Sequence, residues 1–339
     1  MLIIGCDLHT RYQVIAMVET ETGEIVTRRL EHENGEARAF YAGLSGPALV
    51  GIEATGYTQW FERTIAELEH ELWVGDPAEI RARAVRRQKT DTRDAEHLLD
   101  LLVTKRFPRI WVPTPEERDL RQLLKHRSKV VQMQTSIRNQ LHFLAMSQGV
   151  CRKQKLWSAR GRAELEALSL GVWASRRRQE LLQLLDGLEP RLEELNGTVK
   201  VEAERRADCQ SLMSHKGVGP VTALAFVLTV GPVKRFPSSR ALASYLGLNP
   251  REHSSGGRQR LGHISKQGNQ MLRWLLVEVS HNVAQFDPEL RRKYQRLKFR
   301  RGGQVAQVAL ARHLAVRLYW TLRQASTTTL PVRMPGSPR

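Results

Sequence analysis

Three cysteines in 339 residues, Cys6, Cys151 and Cys209, stand far apart and show no paired metal-ligand spacing. That excludes a zinc-finger type of site and leaves no disulfide framework. The cytosol is the expected compartment. No apolar run approaches the ~20 residues that a membrane-spanning helix needs, and the chain enters a strand at Leu2 without the charged-then-apolar order of a signal segment. Membrane insertion and secretion are therefore not expected. A glycine-rich phosphate loop is missing as well: Gly5 precedes Asp7, and nothing like G-x-G-x-x-G follows the first strand. A Rossmann domain competes poorly on that ground.

What the chain has in excess is positive charge. Lys plus Arg number 53 against 35 Asp plus Glu, a net charge of +18, and the isoelectric point is about 10.4. A polyanionic partner fits that balance. The charge is unevenly spread, for residues 1–100 carry 11 basic and 18 acidic side chains while residues 101–339 carry 42 and 17. The acidic third is then the place for a metal site, and the basic remainder for phosphates.

Residues 2–8 read as a buried strand, followed by strands at 13–18 and 25–30 joined through the turn Glu21-Thr22-Gly23-Glu24. A helix over 35–44, a second apolar strand over 48–53, a helix carrying Trp60, Ile65 and Leu68, a short strand over 72–77 and a basic helix over 80–88 come next. A further helix opens at Lys89–Ala95 and runs to about Thr104. Meander, helix, strand, helix, strand, helix is the order of an α/β ribonuclease-H-like domain, expected over residues 1–110.

Pro108, Pro113 and Pro115 mark a linker. Residues 114–210 then read as a helical region, with a helix over 116–144 and a seam of Leu181, Leu185, Leu188, Leu192, Leu195 and Val199 that suits either a coiled coil between subunits or a helical hairpin. Gly187 and Pro190 predict a kink or two helices in register. Arg176-Arg177-Arg178 and Arg152-Lys153-Gln154-Lys155 suit a phosphate-tracking face. A mostly α C-terminal domain is expected over 211–325, and a disordered tail over 326–339. It opens on Lys216-Gly217-Val218-Gly219-Pro220, the pattern of a helix-hairpin-helix segment offering backbone N–H groups to a phosphate, or equally of a glycine-permitted tight turn. Helices over 240–246, 268–284 and 305–322 follow, with a loop over 247–262 between the first two.

The chemistry centres on four acids. Asp91 and Asp94 lie three residues apart at the head of an apolar-periodic run, so on a helix both point into one small volume. Asp91 could alternatively cap the helix, and acids favour its positive end. Asp7 and Glu53 each stand where an apolar strand ends. Four converging carboxylates are costly unless divalent cations neutralise them.

Taken in order, Asp7 in Gly5-Cys6-Asp7, Glu53 in Gly51-Ile52-Glu53-Ala54-Thr55-Gly56, and Asp91 with Asp94 resemble the acid set of the DEDD-type insertion-sequence transposases of the one-ten family. Gly247-Leu248-Asn249-Pro250-Arg251, Ser255-Gly256 and Ile264-Ser265-Lys266-Gln267-Gly268-Asn269 with Leu272-Arg273 resemble that family's C-terminal serine domain, so the likeness covers about residues 2–325. The resemblance implies a RuvC-like N-terminal domain and a recombinase acting on donor and target DNA, hence associated with the nucleoid. It also implies a structured non-coding guide RNA, and dimers pairing into a larger assembly. It assigns Asp7, Glu53, Asp91 and Asp94 to a Mg²⁺ (or Mn²⁺) site and the nucleophile to Ser255, with Ser254 beside it as a departure. Lys216, Gly217, Gly219, Arg251, Arg258, Arg260, Lys266 and Arg273 are the expected nucleic-acid contacts. His253 suits a general base or a polar loop residue. Without the serine, the N-terminal domain would read as a metal-dependent, structure-selective nuclease using water; with structural acids only, the chain would be a nucleic-acid-binding protein.

Overall fold

The computed structural model describes residues 1–84, 90–151, 155–252 and 260–328. It divides into two compact units, the first Met1–Val112 and the second beginning at Pro113.

The first unit is built on a five-stranded sheet. β1 (Leu2–Leu8), β2 (Tyr12–Glu19) and β3 (Ile25–Glu31) form an antiparallel meander, and β4 (Ala48–Glu53) and β5 (Glu71–Gly75) add parallel strands on the other side of β1, giving the order β3-β2-β1-β4-β5. β1 and β4 are apolar on both faces because both faces are covered. Side chains alternate across a strand. Ile4, Cys6 and Leu8 therefore meet Tyr41 of α1 (Glu36–Ala42) and Phe61 and Ile65 of α2 (Gln59–Glu67). Ile3, Val14 and Leu49 face the opposite side, where Ile80 of α3 (Pro77–Arg83) and Ala95, Leu98 and Leu102 of α4 (Asp91–Val103) pack. The basic helix expected over 80–88 is α3, which starts earlier at Asp76, its N-cap; residues 85–89 lie outside the described residues.

The seat of α4 depends on Gly5. A Cβ at Gly5 would lie 2.3 Å from the Ala95 carbonyl oxygen and 2.4 Å from the Leu99 nitrogen, so no side chain fits between β1 and the helix. Gly51 on β4 leaves room for a side chain instead, that of Leu102, whose Cδ1 would lie 2.7 Å from a Cβ there. Gly5 lets the helix backbone rest on β1, which carries its first turn to the C-terminal edge of that strand.

The second unit opens with α5 (Pro115–Ser147), whose start is a capping box between Thr114 and Glu117. Pro115, expected in a linker, is instead the first helical residue, where its missing N–H costs nothing. A 3-10 turn (Lys155–Trp157) and α6 (Ala159–Glu166) lead into α7 (Val172–Glu204), a single helix with Pro190 inside it in place of two helices. Leu181, Leu185 and Leu188 of α7 are buried with Val130, Ile137, Leu141 and Leu144 of α5, so the leucine seam closes a hairpin within the chain. Arg138 to Glu189 (3.2 Å) and Arg127 to Asn196 (2.7 Å) tie the two helices along their length.

Next come α8 (Ala207–Met213), α9 (Pro220–Val230), α10 (Ser239–Tyr245), the antiparallel pair β6 (Pro250–Glu252) and β7 (Leu261–Ile264), α11 (Gln270–Phe286), α12 (Pro288–Arg301) and α13 (Gly303–Thr328). Every residue of α9 from Thr222 to Val230 is buried, as befits a helix that is apolar all round and surrounded by others. α13 continues through Ser326, where a disordered tail was expected to begin; residues 329–339 lie outside the described residues. α12 has no counterpart among the expected elements.

If Gly5 seats α4, Gly5→Val should cost about 1–3 kcal/mol. The upper end is expected because the obstructing atoms are backbone atoms that have no rotamer to escape into. Gly46→Ala is the control, since a Cβ there meets nothing within 4 Å. Chemical denaturation of the full chain, followed by circular dichroism, separates the two.

Candidate active site

Asp7 is the penultimate residue of β1, half-buried, on the face that α4 covers. Thr90 caps α4, its hydroxyl accepting from the Arg93 N–H at 3.4 Å. Asp91 is thus the first helical residue and not the cap, which frees its carboxylate. His9 follows β1 by one residue, and its Nε2 lies 3.1 Å from Asp7 Oδ2 and 3.7 Å from Asp91 Oδ2. One ligand atom from each of Asp7, His9 and Asp91 falls within 4.8 Å of the other two. Tyr12, at the start of β2, donates its hydroxyl to Asp91 Oδ2 at 2.9 Å. Its ring is 4.7 Å from the His9 ring on a tilted contact, and the Arg29 guanidinium sits 3.6 Å from its centroid.

Burial raises the Asp7 carboxyl above its ordinary value; His9 opposes that, while the charges of Asp94 and Asp91 add to it. Asp94 is therefore close enough to act on Asp7, as its position in the first turn of α4 requires. Glu53 ends β4. Cys6 pairs with Ile52, so Glu53 follows on β4 where Asp7 follows on β1, at the same edge of two neighbouring parallel strands. It stands outside the three-residue cluster. Two carboxylates and an imidazole form a donor set that fits a divalent cation of the oxygen- and nitrogen-binding class. The raised Asp7 carboxyl, owed first to burial and then to its acidic neighbours, is consistent with a cation there.

His9 and Tyr12 escaped the reading of the sequence. The signal for His9 was present, since residues two apart at a strand end share a face and Asp7-Leu8-His9 puts an imidazole beside the acid. Tyr12 had no such signal, because the hairpin that folds it back is set by pairing of β1 with β2.

In the second unit, the expected serine loop stands between β6 and β7. His253, Ser254, Ser255, Gly256, Gly257 and Arg258 lie outside the described residues. At the root of this hairpin, Gly247 (φ +66°) and Gly268 (φ +68°) adopt the left-handed conformation, and a Cβ at Gly268 would lie 2.1 Å from the Tyr245 carbonyl oxygen. Arg251, Arg260 and Lys266 are exposed. Arg251 reaches the Ser265 carbonyl at 3.4 Å. Arg273 requires a correction: it is 8% exposed and its guanidinium donates to the carbonyls of Leu246 (3.1 Å) and Gln267. Its charge clamps the root of the hairpin and is not offered to a nucleic acid.

Lys216 is exposed on the turn between α8 and α9. Gly217 has φ +93° and approaches the backbone of Val283 on α11, so turn geometry and packing already require glycine there; Gly219 is the N-cap of α9. The triple arginine of α7 is likewise committed within the chain. Arg176 pairs with Glu180 at 2.8 Å, Arg177 donates to Gln140 at 3.0 Å, and Arg178 donates to the Leu165 and Leu168 carbonyls.

Comparison with known proteins gives two matching family models, one described as Transposase IS116/IS110/IS902 family over residues 209–295 and one described as Transposase, of the DEDD type of IS110, over residues 4–145. A probable family 20 transposase of Pseudomonas aeruginosa is 30% identical, over 97% of this chain and 98% of its own length. The transposase for insertion sequence element IS1111A of Coxiella burnetii is 29% identical over 81% of this chain and 76% of its own. That of IS1328 of Yersinia enterocolitica is 26% identical over 83% and 85%.

The raised Asp7 carboxyl carries a pH prediction. Its ordinary value is 3.8, and between that value and the raised one the folded state holds more protons than the unfolded state. Stability of the metal-free protein therefore falls as pH rises through this window, and the penalty is complete above it. Asp7→Asn should raise the melting temperature of chelator-treated protein at neutral pH, and the difference from the native protein should shrink on acidification towards pH 4. Thermal melts across pH read both effects.

Proposed function

Because this chain belongs to the IS116/IS110/IS902 family of insertion-sequence transposases, enzymes that cut and rejoin DNA, we propose that it does so through a carboxylate-held divalent cation in the first unit and a serine nucleophile in the second. The observation that carries the first half is the convergence of Asp7, His9 and Asp91 at the edge of the central strand. The sheet order β3-β2-β1-β4-β5 supports a ribonuclease-H-like, RuvC-like reading of that unit. Asp7, Asp91, Asp94 and Glu53, joined by His9, would hold Mg²⁺ or Mn²⁺. Such a cation, when bound, neutralises charge on a phosphoryl group.

The nucleophile in this reading is Ser255. Its Oγ forms a bond to the scissile phosphorus as the bond from phosphorus to a sugar oxygen breaks, and the serine proton ends on that oxygen, leaving a free sugar hydroxyl and a DNA–protein ester. A second sugar hydroxyl can then attack the ester and return the serine, so rejoining needs no outside energy source. Arg251, Arg258, Arg260 and Lys266 supply positive charge around the phosphate. Lys216 with the N–H groups near Gly217 and Gly219 offers a further phosphate contact. The family resemblance supports a structured guide RNA, a paired-dimer assembly and a C-terminal domain beginning near residue 211. The surplus of 25 positive charges beyond residue 100 suits two nucleic-acid partners.

A denaturing gel of guide-matched DNA incubated with native protein should show a protein–DNA adduct. The adduct should persist in Ser254→Ala and vanish in Ser255→Ala. Cleavage by native protein with no adduct would mean that water is the nucleophile, and the chain would then be a nuclease.

A further inference from the structure

Basic side chains in the second unit differ in whether folding neutralises them. Several on α5, α6 and α7 face carboxylates of their own chain: Arg162 of α6 bonds Glu166 at 2.6 Å and Asp186 at 2.7 Å, and Arg138 of α5 bonds Glu189 at 3.2 Å. Those on α12 do not. Seven of its 14 residues are Lys or Arg, and its single acid, Glu289, is turned to Arg317 on α13 at 3.6 Å. Asp287, the N-cap, is also paired with Arg317. Arg291 is spent on the carbonyls of Ala284 and Gln285, and Lys293 lies 3.4 Å from His313.

Of the five that remain, Lys298 lies 6.0 Å from the centroid of the Tyr294 ring and Arg301 is the last residue of the helix. Arg292, Arg296 and Arg300 are exposed, and among the described residues none of them meets a carboxylate. They recur every fourth residue, so they form one stripe with successive members about 6 Å apart along the axis. Phe299, three residues after Arg296, lies beside the same stripe and is 94% exposed. The packed side of the helix is elsewhere: Leu290 is buried and Tyr294 meets the His281 ring at 5.7 Å. Phe299 thus contributes nothing to the unit's own core. A fully exposed phenyl ring flanked by unneutralised guanidinium groups is a surface made for a partner that is anionic outside and apolar within.

We propose that α12 is a docking helix for duplex DNA, with Arg292, Arg296 and Arg300 on backbone phosphates and Phe299 against sugar and base edges in the major groove. An α-helix with its side chains is about 10–12 Å across, and the B-form major groove is about 12 Å wide. The deep, narrow major groove of an RNA duplex does not admit it, which favours a DNA duplex over an RNA duplex. The inference rests on the family's action on DNA; it needs neither the cation nor the serine, so its failure and theirs are separable.

The test uses the full chain, stripped of nucleic acid and held in EDTA, with a fluorescent 30-base-pair DNA duplex followed by anisotropy over a range of salt. Replacing Arg292, Arg296 and Arg300 together by Gln should reduce the slope of log affinity against log salt by about 2.7, at about 0.9 for each phosphate left without its arginine. Phe299→Ala should weaken binding several-fold with the slope unchanged, and Arg176→Gln, on a neutralised arginine, should do neither. All these side chains are exposed, and unchanged melting temperatures would certify the fold. A triple variant with the native slope would overturn the proposal. So would a Phe299→Ala variant with native affinity, or a 30-base-pair RNA duplex that binds as tightly as DNA and weakens as much in the triple variant.

Discussion

The contact on which the candidate site depends is that of α4 on the bare backbone of Gly5. Two carboxylates in a first helical turn are unremarkable in themselves, since acids favour the positive end of a helix. They become a site because the helix lies so close to β1 that a methyl group at Gly5 would overlap Ala95 and Leu99. The same residue-by-residue spacing that leaves room for the helix at Gly5 brings Asp7, two positions on, to its N-terminal end. Thr90 takes over the capping of that end, so Asp91 is left to face Asp7 and His9 instead of its own backbone. Tyr12 then holds one Asp91 oxygen in place, braced by His9 on one side and Arg29 on the other. Packing thus produces the electrostatic problem, and the raised Asp7 carboxyl is its record.

Charge is handled differently in the rest of the chain. The helices α5, α6 and α7 are rich in arginine, yet Arg138, Arg162 and Arg176 find carboxylates, and Arg127, Arg177 and Arg178 find amides or carbonyls, which makes them part of the scaffold. Arg273 is an extreme case, buried to tie down the two ends of a hairpin. A count of basic residues therefore overstates what is available to a nucleic acid. What matters is which cations remain unneutralised after folding, and α12 holds a compact set of them.

Much of the first unit was legible in the sequence. β1 and β4 announce themselves as short apolar runs each closing on an acid, and the meander is marked by its turn at Thr22-Gly23. The pairing of Asp91 with Asp94 on one helical face followed from spacing alone. The contribution of His9 was readable but overlooked, and that of Tyr12 depended on a strand pairing that periodicity does not specify. In the second unit, the leucine seam was visible but its partner was not, because a/d patterns look alike within one chain and between chains. Of the two outcomes expected at Pro190, a division into two helices does not occur: tertiary packing of α7 along α5 outweighs the loss of one helical hydrogen bond. α12 was missed although Asp287, Pro288 and the spacing of Leu290, Tyr294 and Leu297 signal a capped helix, since so many arginines hid a narrow apolar stripe.

The claim that α4 and β1 together build a cation site is tested most directly by counting Mn²⁺ bound to the full chain with electron paramagnetic resonance. Native protein should bind Mn²⁺, Asp7→Asn and Asp91→Asn should lose that binding, and Asp100→Asn, which alters an exposed acid on the same helix already paired with Arg106, should retain it. Equal Mn²⁺ binding by all four proteins would contradict the account.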